Sequence, residues 1–168
     1  MTDLKTFIRD IPDFPKPGVL FRDISPLLRD HLPATLAALD ALLDDSEWRG
    51  VDAIAGIESR GFILGAALAV LRGKGFVLVR KAGRLPPPVV SVGYQLEYGS
   101  AVLEMQRGSG RLLLVDDVCA TGGTLTAAAQ LCRDSGHKVI ALATLIDLAM
   151  VPAFNWQGLA LRSALNYG

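Results

Sequence analysis

The sequence predicts a single α/β domain built on a central parallel sheet flanked by helices, and three observations support this fold class. Four apolar runs have the composition of buried strands: residues 51–57, 76–79, 112–115 and 139–145. Apolar residues at helical spacing lie between these runs, so strands and helices alternate along the chain. Polar loops follow the ends of three strands, which is where open parallel sheets bind ligands. We expect right-handed crossovers between the strands.

Composition limits the possible functions. The chain has 168 residues, an ordinary size for one domain, and 51% of them are hydrophobic. Seventeen basic and seventeen acidic residues give a formal net charge of zero, which argues against a nucleic-acid partner. The first residues lack the apolar core of a signal peptide, and no run is suited to spanning a membrane. We therefore expect a cytoplasmic protein in which Cys119 and Cys132 are buried and reduced.

The first 30 residues or so are expected to form a small hood. Apolar residues there repeat at helical spacing: Leu4, Phe7, Ile8 and Ile11. This spacing predicts a short amphipathic helix that ends at Pro12. Three prolines and a glycine in residues 14–27 then predict an extended segment. A planar base could stack there on Phe21, although composition alone favours Phe21 as a core aromatic residue.

A strand–loop–helix unit follows a helix that a leucine stripe predicts from about residue 33 to 45. Its strand, residues 51–57, leads into Glu58, Ser59, Arg60 and Gly61, and then into a helix. Arg60 and the N–H groups at the start of this helix could bind an anion. A capped helix with a surface arginine explains the same residues equally well.

A basic loop follows the strand at residues 76–79. Three cations fall within five residues, Arg80, Lys81 and Arg84, and a proline run comes next. This pattern predicts an exposed, mobile loop, and a merely solvated charged loop remains an equal alternative.

Residues 94–105 alternate at period two around a Tyr-Gly-Ser turn, which predicts a hairpin. Glu97 lies among apolar and aromatic neighbours that could hold its carboxyl group protonated. Glu104, on the same hairpin, is expected to face solvent.

The most informative stretch begins where the apolar run 112–115 ends in Asp116 and Asp117. A small turn follows, made of Ala120, Thr121, Gly122, Gly123 and Thr124, and then an alanine-rich helix. Free N–H groups at a helix start bind phosphate, but two carboxylates would repel it. A ribose with a 5′-phosphate satisfies both halves of the stretch. No Walker loop or dinucleotide fingerprint occurs in the chain.

Four motifs together resemble those of a known enzyme family. Residues 112–124 resemble the phosphoribosyl pyrophosphate (PRPP) motif of type I phosphoribosyltransferases, and residues 58–61 resemble their pyrophosphate-binding loop. Residues 14–26 resemble the adenine-binding segment of the adenine phosphoribosyltransferases, and residues 96–99 resemble their mobile catalytic loop. The resemblance covers nearly the whole chain, with the motifs in the expected order.

The resemblance implies a role for each candidate residue. Adenine would contact Leu20, Phe21 and Arg22. Pyrophosphate would contact Glu58, Ser59, Arg60, Arg80, Lys81 and Arg84, with a strained or cis peptide at Glu58–Ser59. The 5′-phosphate of PRPP or AMP would lie on Ala120, Thr121, Gly122, Gly123 and Thr124. Glu97, Asp116 and Asp117 would carry the catalysis.

The implied reaction converts adenine and PRPP to AMP and pyrophosphate, in purine salvage. Mg²⁺ would be held mainly by the pyrophosphate, without direct protein ligands. The resemblance further implies a cytoplasmic homodimer and a mobile catalytic loop at about residues 82–100. The chain departs from the family pattern at Arg84, where most relatives have lysine, and in its apolar, proline-rich residues 86–93.

Two alternatives stay open. One is a non-catalytic regulator on the same fold that uses PRPP or a nucleotide as a signal, although the neutral charge and single domain argue against it. The other is the same chemistry on hypoxanthine or guanine.

Overall fold

The computed structural model describes residues 3–96 and 99–168. The chain divides into two compact units, Met1–Ala38 and Leu39–Gly168. The hood expected at about residues 1–30 lies within the first of these ranges. No helix in the described part of the chain has the length and apolar character needed to span a membrane.

The first unit is a two-stranded hairpin with short helices. Its elements are a 3-10 helix (Leu4–Phe7), strands β1 (Arg9–Pro12) and β2 (Leu20–Asp23), helix α1 (Ser25–Asp30) and most of α2 (Leu32–Asp40). The predicted amphipathic helix is wrong beyond Phe7, because Ile11 lies in β1, opposite Phe21. Opposite charges at facing positions of this hairpin form the ion pairs Arg9–Asp23 and Arg22–Asp10. Such cross-strand pairs stabilise a hairpin and cannot be seen from periodicity along one strand.

The predicted extended segment, residues 14–27, is confirmed only in β2, Leu20–Asp23. The residues before β2 form the turn of the hairpin, in which the Phe14 N–H donates to the Val19 carbonyl oxygen over 3.2 Å, and the residues after it form a helix. Ser25 begins α1, and Pro26 stands in its first turn, where a missing N–H costs nothing. The carboxylate of Asp23 accepts hydrogen bonds from the N–H and the hydroxyl of Ser25.

The second unit is built on an eight-stranded sheet. Its strands are β3 (Ala53–Ile57), β4 (Gly75–Lys81), β5 (Val90–Gln95), β6 (Ser100–Met105), β7 (Gly110–Cys119), β8 (His137–Asp147), β9 (Asn155–Trp156) and β10 (Leu159–Asn166). The spatial order is β5-β6-β4-β3-β7-β8-β10-β9. The five central strands are parallel, and antiparallel strands extend the sheet at both ends. This confirms the predicted α/β fold class.

Besides the end of α2, the described residues of this unit form helices α3 (Asp45–Gly50), α4 (Arg60–Arg72) and α5 (Gly123–Asp134). The helix predicted to reach residue 45 stops at Asp40. A new helix begins after Asp44, whose side chain and that of Glu47 accept hydrogen bonds from each other's backbone N–H. This capping box satisfies otherwise unpaired donors and separates α3 from α2.

The predicted hairpin is present in β5 and β6, with Gln95 opposite Ser100. Its first strand begins earlier than expected, at Val90. The predicted mobile loop of residues 82–100 therefore contains a regular strand, and Val92 and Tyr94 pack against the hydrophobic core.

Candidate active site

The carboxyl ends of three neighbouring parallel strands bring the candidate residues to one edge of the sheet. Ile57 of β3 stands opposite Val79 of β4, and Gly56 stands opposite Val115 of β7. The chemistry-bearing residues that come next on each strand are thereby adjacent: Glu58, Arg80, Lys81, Asp116 and Asp117. The loops after parallel strands form the usual ligand-binding edge of such sheets.

Asp116 and Asp117 are buried, with 7% and 6% of their surface exposed. The backbone N–H of Asp117 donates to Asp116 Oδ1 over 2.9 Å. Burial raises the pKa of Asp116 well above its ordinary value, and the neighbouring charge of Asp117 raises it further. A nearby positive charge therefore favours the ionised form of Asp116, as Arg60 does in this structure.

Arg60, the first residue of α4, forms an ion pair with Asp117, with 2.7 Å between Nε and Oδ2. The helix can approach β7 this closely because residue 61 is glycine. A Cβ on Gly61 would lie 3.0 Å from Asp116 Oδ1 and 3.1 Å from the Val115 carbonyl oxygen. The small residue thus brings the helix start beside the acidic pair.

Glu58 holds two of the predicted pyrophosphate-binding cations. Its carboxylate lies 3.3 Å from Arg80 Nε and 3.0 Å from Arg84 Nη1, and it accepts the Lys81 N–H over 3.0 Å. Burial opposes its ionisation, but these partners outweigh burial and keep the pKa of Glu58 below its usual value. The peptide between Glu58 and Ser59 is cis, as the resemblance implied. Glu58 is thus a partner of the cations in this structure.

The turn between β7 and α5 has the geometry of an anion cradle. Gly122 takes a left-handed conformation (φ 86°) at the start of α5. Residues 118–125 line a cavity of about 100 Å³, which includes all five predicted phosphate-binding residues. N–H groups at the start of a helix carry partial positive charge and suit phosphate.

Phe154 is a site neighbour that the sequence analysis missed. A Cβ on Gly122 would come within 2.2 Å of its ring, so the phenyl group lies directly against the turn. No local pattern in residues 150–168 indicated this contact.

The expectation that Glu104 faces solvent is wrong. Only 4% of its surface is exposed, and its Oε1 accepts the N–H groups of Arg84 over 2.9 Å and of Leu85 over 2.8 Å. The N–H of Gly83 contributes most to keeping the pKa of Glu104 below its usual value. Alternation along β6 could not reveal this, because the partners lie in a turn about 20 residues earlier.

The other predicted residues fall elsewhere. Glu97 lies outside the described residues. Leu20, Phe21 and Arg22 belong to β2 of the first unit. The ring of Phe21 is half-buried, and the ring of Phe14 meets it edge-on with 5.2 Å between centroids.

The described residues include no group of three or more His, Cys, Asp or Glu side chains that could hold a metal ion. The acidic pair supplies the hard oxygen atoms that Mg²⁺ prefers. Arg60 and the Asp117 N–H already engage part of that set. These residues fit an ion held mainly by a polyphosphate.

The chain is similar to known proteins over most of its length. A family model described as a phosphoribosyl transferase domain matches residues 33–153. An adenine phosphoribosyltransferase of Hydrogenovibrio crunogenus is 48% identical over 165 residues, which cover 98% of this chain and 96% of that one.

Solved structures give the same result. The adenine phosphoribosyltransferase of Thermoanaerobacter pseudethanolicus has a TM-score of 0.86 at 40% identity, covering 97% of both chains. That of Saccharomyces cerevisiae, complexed with adenine and an imino-altritol bisphosphate, has a TM-score of 0.86 at 32% identity, covering 96% of both. The chain therefore belongs to the adenine phosphoribosyltransferases, within the type I phosphoribosyltransferase family.

Proposed function

We propose that the edge formed by β3, β4 and β7 transfers the 5-phosphoribosyl group of PRPP to adenine, giving AMP and pyrophosphate. The observation that carries this proposal is the buried acidic pair beside an anion cradle. Asp116 and Asp117 lie near the carboxyl end of the buried strand β7, and the cavity of residues 118–125 follows directly. A ribose 5-phosphate presents hydroxyl groups to the acids and its phosphate to the N–H groups of the turn.

The acidic pair acts on the sugar. When the bond between C1 and the pyrophosphate oxygen breaks, the ribose gains positive charge. The carboxylates of Asp116 and Asp117 hold the ribose hydroxyls and offset that charge. Residues 120–124 fix the 5′-phosphate, which orients C1 toward the incoming base.

The cations act on the leaving group. Arg60, Arg80, Lys81 and Arg84 stabilise the negative charge that develops on pyrophosphate. The carboxylate of Glu58 would repel pyrophosphate. At least part of the cations that contact Glu58 in the free protein therefore release it when pyrophosphate binds. The backbone at Ser59 belongs to the same loop and offers N–H donors.

The base is handled by two further elements. Adenine stacks on Phe21, and the backbone of Leu20 and Arg22 reads its edge. Glu97 manages the proton at N7 while N9 forms the bond to C1.

Mg²⁺ fits this scheme as an ion held mainly by the pyrophosphate, where it would neutralise part of the charge on the leaving group. We further propose that the protein is a cytoplasmic homodimer and that its catalytic loop spans about residues 82–100, because the family resemblance of the sequence implies both.

Pyrophosphate release from PRPP, measured with adenine, hypoxanthine and guanine in turn, tests the proposed function. We expect release with adenine and little with the other two purines. A kcat/KM for hypoxanthine or guanine comparable to that for adenine would show that the enzyme also uses those bases. Binding of PRPP without release with any purine would favour a non-catalytic regulator.

A further inference from the structure

The turn after β4 has the form of an anion-binding nest that the protein fills with its own carboxylate. Gly83 has a left-handed backbone (φ 83°), a conformation that lets successive N–H groups converge. The N–H groups of Arg84 and Leu85 both donate to Oε1 of Glu104. The backbone of Glu104 is itself held in the sheet, where it stands opposite Arg80 of β4 on one side and opposite Ser91 of β5 on the other.

This nest is linked directly to two cations of the site, Arg80 and Arg84. The backbone N–H of Arg84 donates to Glu104, and the guanidinium group of Arg84 lies 3.0 Å from the carboxylate of Glu58. Arg80, opposite Glu104 in the sheet, donates from Nη1 to the Arg84 carbonyl oxygen over 3.3 Å. The position of one backbone turn therefore sets where both guanidinium groups lie.

We infer that Glu104 is a positioning residue for the pyrophosphate end of the reaction, acting through the turn at residues 83–85. Its carboxylate is taken up by the N–H groups of this turn, so it acts on the cations and not on the substrate. The inference rests on the proposed function, which assigns Arg80 and Arg84 to pyrophosphate. It assigns different roles to the two glutamates: Glu104 positions the cations that bind the leaving group, and Glu97 acts on the base.

The test is calorimetric binding of magnesium pyrophosphate and, separately, of AMP to wild type and to Glu104→Gln. The amide keeps the size of the carboxyl group but loses its charge and one acceptor. We expect pyrophosphate affinity to fall roughly tenfold to a hundredfold, because the neutral amide oxygen accepts the N–H groups of the turn more weakly than the carboxylate does. AMP affinity stays unchanged, because the phosphate turn and the acids are untouched.

A matched control is Gln106→Ala. Gln106 also bonds the same loop, from Nε2 to the Pro86 carbonyl oxygen over 3.4 Å, but it is exposed and holds no N–H group of the nest. We expect both affinities to match wild type in this variant.

A second variant keeps the inference testable if Glu104→Gln does not fold. Gly83→Ala leaves Glu104 in place and meets no neighbouring atom within 4 Å, but it strains the left-handed turn. It should show the same selective loss of pyrophosphate affinity.

Equal losses for AMP and pyrophosphate, or no loss of either, would overturn the positioning role. A wild-type protein that binds neither ligand would instead overturn the proposed function, so the two failures are distinguishable.

Discussion

Arg60 Nε and Asp117 Oδ2 lie 2.7 Å apart, which joins the start of α4 to the end of β7. The pair links the predicted pyrophosphate-binding loop to the predicted ribose-binding acids. An arginine that balances the acids in the free protein is also available to an anionic substrate. The pair therefore couples stability to function at this edge of the sheet.

Arg60→Ala removes the cation beside a carboxylate whose side chain is only 9% exposed. We expect a loss of roughly 1–3 kcal/mol in the free energy of unfolding, the cost of an unsatisfied buried group. Urea denaturation measures it. Arg111→Ala is the control, because its pair with Asp52 is half-exposed and solvent-screened and should contribute much less to stability. A smaller loss for Arg60→Ala than for the control contradicts the coupling.

Asp116→Asn should stabilise the free protein at neutral pH. The raised pKa of Asp116 means that the folded state keeps a proton that the unfolded chain releases above about pH 4. Stability from this group is therefore present at low pH and declines as pH rises toward the folded pKa. The amide abolishes that decline and keeps an oxygen acceptor for the Asp117 N–H.

Calorimetric melting temperatures across about pH 4 to pH 8 test this sign. The variant should melt above wild type at the high end, and the difference should shrink at the low end. A variant that melts below wild type throughout would show that the Asp116 carboxylate stabilises the fold.

Phe21→Ala should weaken adenine binding more than PRPP binding. Stacking of a base on an aromatic ring contributes about 1–3 kcal/mol. Calorimetry with adenine in the presence of a PRPP analogue measures the loss. Phe7→Leu is the control in the same unit, since Phe7 packs on His31 with 3.7 Å between ring centroids. Unchanged adenine affinity in Phe21→Ala would make Phe21 a packing residue only.

Glu97→Gln should lower kcat by about 10²–10⁴-fold, the usual contribution of a positioned proton donor or acceptor. The loss should appear in kcat for adenine while pyrophosphate affinity is retained, unlike the loss expected for Glu104→Gln. Steady-state kinetics on the two purified variants makes the comparison. A small effect of Glu97→Gln would assign the proton at N7 to water.

Local patterns predicted which polar residues lie together at one edge of the sheet better than they predicted the residues that contact them. Arg60 follows the buried strand β3, and Asp116 and Asp117 lie near the end of the buried strand β7. The parallel register of these strands brings such positions to one edge. Glu104 escaped prediction because its partners are backbone N–H groups of a distant turn. Phe154 escaped it because a loop without periodicity carries the ring to Gly122. The hairpin β1–β2 escaped it because facing charges outweighed a helical spacing.

The most direct test of the account is the turnover of Asp116→Asn and Asp117→Asn, followed by pyrophosphate release from PRPP and adenine. Each change removes a carboxyl group that can be ionised beside a sugar that becomes positively charged. We expect kcat to fall about 10²–10³-fold, as for loss of one electrostatic group that stabilises a transition state. Circular dichroism should show an intact fold in both variants. Turnover near the wild-type value in both would contradict the placement of the ribose at this acidic pair.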